Sequence, residues 1–402
     1  MLRNTALQQS CRLLTAQSVY GETNACRGFA TELTAGMTLL NKGMKAGPGG
    51  RSSVSGITAT VFGSTGFLAR YVINALAKAG SMVVIPYRAD DLDAQHLSTM
   101  GDLGQMVKVK NFNARDDESI RHLIHRSNLV VNCIGIQKET MNWSFQETHV
   151  DIAAKIAQAC KENEMVERFW HVGCLGANEN STSRRLQSKF AGEQAVREIY
   201  PEATIFKPGQ LIGVEDNLMN NLARLAKKFP IIPLIDGGHQ KIQPVYVRDV
   251  AQAMINSLKT KECLGQDYYL GGPDVISHKE LVKLTFETIR ERYHGLPLPA
   301  QIAKVITAPR EALLNRVPIP INYLFTQDYV AECLQDQTIP SGAEVKGFKE
   351  LEIEPKSILF GEPIDHIRHF RVGGYELGTT GGGGAAAAGH GMRDYDGGRA
   401  TT

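Results

Sequence analysis

The chain has 402 residues, enough for two lobes, and its 43% hydrophobic and 21% charged content is ordinary for a globular protein. Its 44 Lys and Arg nearly cancel its 42 Asp and Glu, so bulk charge gives no reason to expect nucleic acid. The longest apolar runs, such as 82–85 and 129–131, fall far short of the roughly 20 residues that cross a bilayer. Seven cysteines without a Cys-x-x-Cys pair argue against structural zinc or a disulfide framework and fit a reducing compartment.

In chain order, residues 1–29 carry Arg3, Arg12 and Arg27 against Glu22 alone, among Ser, Thr, Gln and Ala. That is the composition of a mitochondrial transit peptide, and Arg27-Gly28-Phe29 before Ala30 is similar to a processing site; the plainer alternative is an unfolded arm. Residues 30–54 read as a linker, rich in Gly, Ser and Pro from residue 41. Strand-like runs are expected at 57–62, 81–87, 107–112, 129–134, 168–172 and 203–206. Helices are expected at 67–79, 119–125, 149–163 and 186–199, the first with Tyr71, Val72, Ala75, Leu76 and Ala79 on one face. This alternation predicts an α/β fold, a doubly wound parallel sheet of Rossmann type over 55–270, with 216–243 contributing to a second lobe. The smaller C-terminal lobe covers 271–372, and the glycine runs of 373–402 read as a disordered tail.

The first strand runs into Gly63-Ser64-Thr65-Gly66-Phe67-Leu68-Ala69 and then a helix. A backbone that turns tightly beneath a pyrophosphate needs residues without a Cβ, and the helix N-terminus offers free N–H groups to the phosphates. The Gly-x-x-Gly-x-x-Ala spacing is similar to that of extended and atypical short-chain dehydrogenase/reductases. The second strand ends in Arg88 rather than a carboxylate, which favours the 2′-phosphate of NADPH over the bare ribose of NADH. A solvated loop arginine is the alternative, and Asp90 or Asp91 could still reach a ribose. Asn113 follows the third strand, where such folds meet the adenine, and Cys133-Ile134-Gly135 follows the fourth, beside the nicotinamide ribose.

Working short-chain dehydrogenases use Tyr-x-x-x-Lys after the fifth strand, the lysine lowering a phenol pKa from about 10. Here Lys189 stands in the lysine place, free to bond the ribose hydroxyls, but four residues earlier is Arg185. A guanidinium stays protonated and cannot serve as acid or base. No tyrosine occurs between Tyr87 and Tyr200, and Gly173-Cys174 stands where a serine is expected. Cys174 reads as a packed thiol.

Taken together, the runs 84–88, 96–105, 113–116, 171–178 and 244–250 resemble the NADPH-binding accessory subunit family of mitochondrial respiratory complex I, the alpha-subcomplex subunit 9 family. The resemblance spans roughly residues 55–295. It implies a non-catalytic subunit holding NADPH structurally, supporting assembly where the peripheral arm meets the membrane. Other complex I subunits near the quinone-binding region would be its partners, and it would lie peripherally on the matrix side of the inner membrane. Gly63, Gly66 and Arg88 would meet the pyrophosphate and 2′-phosphate, and Lys189 the ribose; Asn113 replaces an expected aspartate.

Residues 300–316 place Ile302, Val305, Ile306, Leu313 and Leu314 among Lys304, Arg310 and Arg316, with a break expected at Pro309. That pattern suits either a lipid-headgroup surface or an internal core helix. The Pro-stiffened segment 317–321 is not expected to form a central strand. Two other classes remain: an active NADP-dependent reductase or epimerase of the matrix, and an RNA-binding atypical member of the superfamily. Near-neutral charge without a basic, aromatic-bearing stripe counts against the second.

Overall fold

A computed structural model describes residues 53–371, apart from 89, 230–231, 260–261, 315–323, 325, 341–344 and 360. The expected address segment 1–29, nearly all of the 30–54 linker, the 317–321 segment and the 373–402 tail lie outside the described residues.

Seven strands form one parallel sheet: β1 (Thr58–Phe62), β2 (Met82–Tyr87), β3 (Met106–Lys110), β4 (Leu129–Asn132), β5 (Arg168–Val172), β6 (Thr204–Pro208) and β11 (Asp267–Leu270). Their order is β11-β6-β5-β4-β1-β2-β3, the doubly wound arrangement read from the sequence. Side chains alternate across it as pleating requires. Ala59, Val61, Val83, Ile85, Leu129, Val131 and Trp170 pack on one face, Phe62, Val130 and Phe169 on the other. The first face is covered by α1 (Phe67–Lys78) and, beyond the sheet's centre, α7 (Val247–Asn256), which pack together. The second is covered by α3 (Asp117–Ile124) and α4 (Ile152–Glu162), with α5 (Arg184–Ile199) against α4. A short α2 (Asp91–Gln95) links β2 to β3. The edge strand β3 carries exposed Lys108 and Lys110, which discourage further pairing.

Two local expectations change. The buried stripe of α1 is Leu68, Ala69, Val72, Ile73, Leu76 and Ala77: Val72 and Leu76 of the expected face are buried, but Tyr71, Ala75 and Ala79 are only half-buried. This helix is apolar on several sides, and contact with sheet and α7 selects among them. The helix expected from residue 149 begins only at Ile152, after a wide π-type turn at Glu147–Asp151. There α5 crosses so closely that a Cβ on Gly192 would lie 2.2 Å from the His149 carbonyl oxygen.

A third hydrophobic cluster builds the second lobe from α6 (Leu218–Lys228), β8 (Ile232–Ile235), α8 (His278–Ile289) and the C-terminal α11 (Glu362–Asp365). Short pairs join β7 (Leu211–Ile212) to β10 (Val245–Tyr246), β9 (Lys241–Ile242) to β12 (Ile276–Ser277), and β13 (Gly295–Leu298) to β8. The helix α9 (Ala300–Leu314) runs through Pro309 without the expected break. The carbonyl left without its helical partner by that proline belongs to Val305, a residue on the exposed face of the helix. A short α10 (Gln327–Glu332) returns against the N-terminal end of α5.

Candidate nucleotide cleft

The strand order reverses between β1 and β4, and in such sheets the crevice beyond the strand ends there is where ligands lie. A cleft of about 250 Å³ opens at this point, lined on one side by Gly66, Phe67, Leu68 and Ala69, on the other by Cys133, Gly135, Arg185 and Lys189. Its far wall comes from the second lobe, through Asn217, His278, Tyr329 and Glu332.

Gly63 adopts φ +76°, and a Cβ there would meet the Cys133 carbonyl oxygen at 2.8 Å. The loop after β1 is thus pressed against the loop after β4, which only glycine permits. Gly66 donates its N–H to the Gly63 carbonyl at 2.9 Å and stands at the N-terminus of α1 with no side-chain cap. Asp116, Ser183, Ser277 and Thr326 cap α3, α5, α8 and α10, while α4, α6 and α7 share with α1 the absence of a side-chain cap. The α1 terminus has no acidic residue in its first turn and faces the cleft, a suitable seat for a pyrophosphate. Cradle, uncapped terminus and nearby lysine fit a dinucleotide. Bound there, a nicotinamide dinucleotide carries hydride chemistry; Gly66–Leu68 would hold its phosphates and Lys189 its ribose.

The anticipated site residues fall into two groups. Gly66, Phe67, Leu68, Cys133, Gly135 and Lys189 line the cleft. Ser64 is buried and donates its hydroxyl to the Pro86 carbonyl at 2.8 Å, pinning the glycine loop to β2. The Thr65 carbonyl accepts from Arg70 Nε at 3.0 Å. Ile134 packs its side chain against the core and donates its N–H to Asn132 Oδ1 at 3.0 Å. Arg88 and Asn113 lie beyond the β2 and β3 ends, outside the cleft lining. Asn113 Oδ1 accepts from the Arg115 N–H at 3.1 Å, so its carboxamide shapes the turn there.

On the α5 wall of the cleft, the residues at the places expected for an acid/base group are tied into other interactions. Arg185 makes a two-pronged ion pair with Glu332 of α10, its second bond 2.8 Å long, both side chains being largely buried. Burial works against the guanidinium's charge, but Glu332's carboxylate outweighs it and raises the Arg185 pKa further. Asp328 accepts from Ser183 Oγ at 3.0 Å, so α10 is docked on the first turn of α5. Where a serine is expected, Gly173 has no room for one: a Cβ there would lie 2.0 Å from Glu193 Oε1. Glu193 is itself buried against Lys207 at 3.0 Å. Lys189 Nζ donates to the Val172 carbonyl at 3.3 Å, its pKa lowered chiefly by burial. Cys174 donates its thiol to the Leu175 carbonyl, and burial pushes its pKa up and that of Cys133 to about 12. Neither is an activated nucleophile.

Beneath this wall runs a buried chain that the sequence did not reveal. The Ile136 N–H donates to His149 Nε2 at 3.1 Å, so Nδ1 carries the proton and donates to Ser188 Oγ at 2.8 Å. Ser188 in turn donates to the Arg185 carbonyl at 2.9 Å. Burial, then the charges of Lys189 and Arg185, hold the His149 pKa down to about 2, so the imidazole is neutral. Arg115, Trp143 and Glu147 carry no sequence signature as a group, because they come from the loop after β3, the loop after β4 and the π-type turn that follows it.

The class follows from these features together with a match of residues 56–341 to the NmrA-like family model. In fold the chain is similar to an Escherichia coli NADPH-dependent quinone oxidoreductase, at TM-score 0.58 and 14% identity over 78% of this chain and 99% of that one. It is 42% identical to the mitochondrial NADH dehydrogenase [ubiquinone] 1 alpha subcomplex subunit 9 of Arabidopsis thaliana over 90% of this chain and 91% of that protein. The Mus musculus protein of the same name is 45% identical over 63% of this chain and 67% of its own length. The chain therefore belongs to the NmrA-like family and, within it, to the alpha subcomplex subunit 9 family, as its motifs indicated.

Proposed function

We propose that the chain is a non-catalytic subunit of mitochondrial respiratory complex I that holds NADPH as a structural cofactor and supports assembly of the complex. The observation that carries this is the Arg185–Glu332 pair at the acid/base position, beside an intact glycine cradle and Lys189. The site keeps what binds a dinucleotide and has replaced what moves a proton to a substrate. A positioned acid/base contributes about 10²–10⁴ in rate, so this exchange removes much of any reductase activity.

The names of the relatives support a mitochondrial address, and the Arg-rich, acid-poor composition of residues 1–29 agrees. Among the described residues no helix is long and apolar enough to cross a membrane. Attachment at the matrix face of the inner membrane is therefore assigned to the second lobe. There α9 buries Ala303 and Thr307 but leaves Ile302, Val305 and Ile306 at least half exposed beside Lys304. Phe229 and Leu296 are equally exposed nearby in sequence to β8 and within β13. Such a face suits neighbouring subunits near the quinone-binding region, with lipid headgroups at its basic rim.

Replacing Ile302, Val305 and Ile306 together by Gln separates docking from cofactor binding. On native gels the variant is expected to leave the complex I band and run as a small free species, while extraction still recovers NADP(H) from it. Normal incorporation of the triple variant would contradict the docking role.

A further inference from the structure

Three loops converge on the adenine side, at the ends of β2, β3 and β4. Trp143 lies in the loop after β4, in a turn closed by two backbone bonds to Thr140, at 3.0 and 3.2 Å. Two guanidiniums stack on its indole: Arg115 at 4.2 Å and Arg88 at 4.7 Å from the ring centroid. Arg115 is held by Glu147, with one bond of 3.0 Å, and by the Asn142 carbonyl at 2.6 Å. Arg88 is exposed and has no carboxylate partner among the described residues.

The acids that follow Arg88 are engaged elsewhere. Asp90 accepts from the Asp91 N–H as the cap of α2. Asp91 pairs with Lys110 at 2.8 Å and accepts from Tyr87 Oη at 2.8 Å. Both carboxylates are thus engaged in local contacts, while the Arg88 guanidinium at the end of β2 has no such partner among the described residues.

We propose that Trp143 and Arg115 are specificity-determining residues that hold Arg88 ready for the 2′-phosphate of the dinucleotide, an inference that rests on reading the cleft as an NADP(H) site. Arg115 is fixed by the Glu147 carboxylate and supports the indole. The indole provides a flat π-face on which the Arg88 guanidinium is oriented before the ligand arrives, so less side-chain freedom is lost on binding. Arg88 supplies the charge-assisted bonds to the phosphate. Because Trp143 acts through Arg88, its removal weakens nucleotides that carry a 2′-phosphate and leaves those without it nearly unchanged.

The chain has two tryptophans, and Trp170 is fully buried, so Trp143 is the reporter of events at this edge. Titration of the full chain with NADP+ is expected to alter tryptophan emission. Calorimetric titration of Trp143→Leu should then show NADP+ binding weakened about threefold to tenfold, with NAD+ affinity unchanged. Trp143→Phe, which keeps an aromatic face, should recover most of the loss, and thermal unfolding would verify that both variants are folded. Equal weakening of both nucleotides, or of neither, with the unmodified chain still preferring NADP+, would overturn the clamp and leave the cofactor reading standing. An unmodified chain that binds neither nucleotide, or prefers NAD+, would overturn both.

Discussion

Acidification from pH 7 to pH 5 is expected to remove about 2 kcal/mol of stability for each of three buried histidines, roughly 6 kcal/mol together. His149, His171 and His278 are buried, and burial, joined for the first two by nearby cations, holds their pKa values to about 2, 3 and 4 against an ordinary 6.5. Each folded value is depressed. Below pH 6.5 the unfolded chain therefore takes up protons that the folded chain refuses, and stability falls as pH falls. The window runs from 6.5 down to about 4 for His278 and further for the other two. Burial raises the pKa of Glu193, Asp249 and Asp328, which acts in the opposite direction and reduces the net loss. His149→Gln isolates one contribution. In urea denaturation its stability should fall between pH 7 and 5 by about 2 kcal/mol less than that of the unmodified chain. An identical pH dependence would mean that His149 titrates in the folded state.

The second large effect concerns the Arg185–Glu332 pair. Glu332→Ala leaves a guanidinium buried without its partner, and a loss of about 3–5 kcal/mol is expected. Replacing both, by Arg185→Met with Glu332→Leu, removes charge and partner together and should recover most of that loss. Equilibrium denaturation of the two variants beside the unmodified chain measures this. If the single substitution costs no more than the double, the pair contributes nothing by its charge and the seam between α5 and α10 is held by the Asp328 contacts instead.

The sheet was legible because burial on both faces imposes short apolar strands between helices, and the glycine turn marks where β1 meets α1. Family membership was legible too, in the loops that follow successive strands. What periodicity could not supply was long-range pairing. That Arg185 cannot move protons follows from its side chain alone, but its partner Glu332 lies far along the chain in a helix too short to announce itself. The glycine at 173 was read as a missing serine; the reason for it, the buried Glu193 carboxylate, needs the fold of α5 over β5. The break expected at Pro309 did not form: the helix continues through the proline on a face where Val305, four residues before it, is exposed. On the adenine side, Arg88 stood out at a strand end. Trp143 and Arg115 did not, since only the folded loops bring their side chains to the same place.

The central claim is that this chain holds NADP(H) without turning it over. The most direct measurement is extraction of the nucleotide from the assembled protein before and after sustained NADH:ubiquinone turnover. One NADP(H) per chain, with its redox state unchanged by turnover, is the expected result. Nucleotide whose oxidation state follows substrate consumption, or a chain assembled with none, would contradict it.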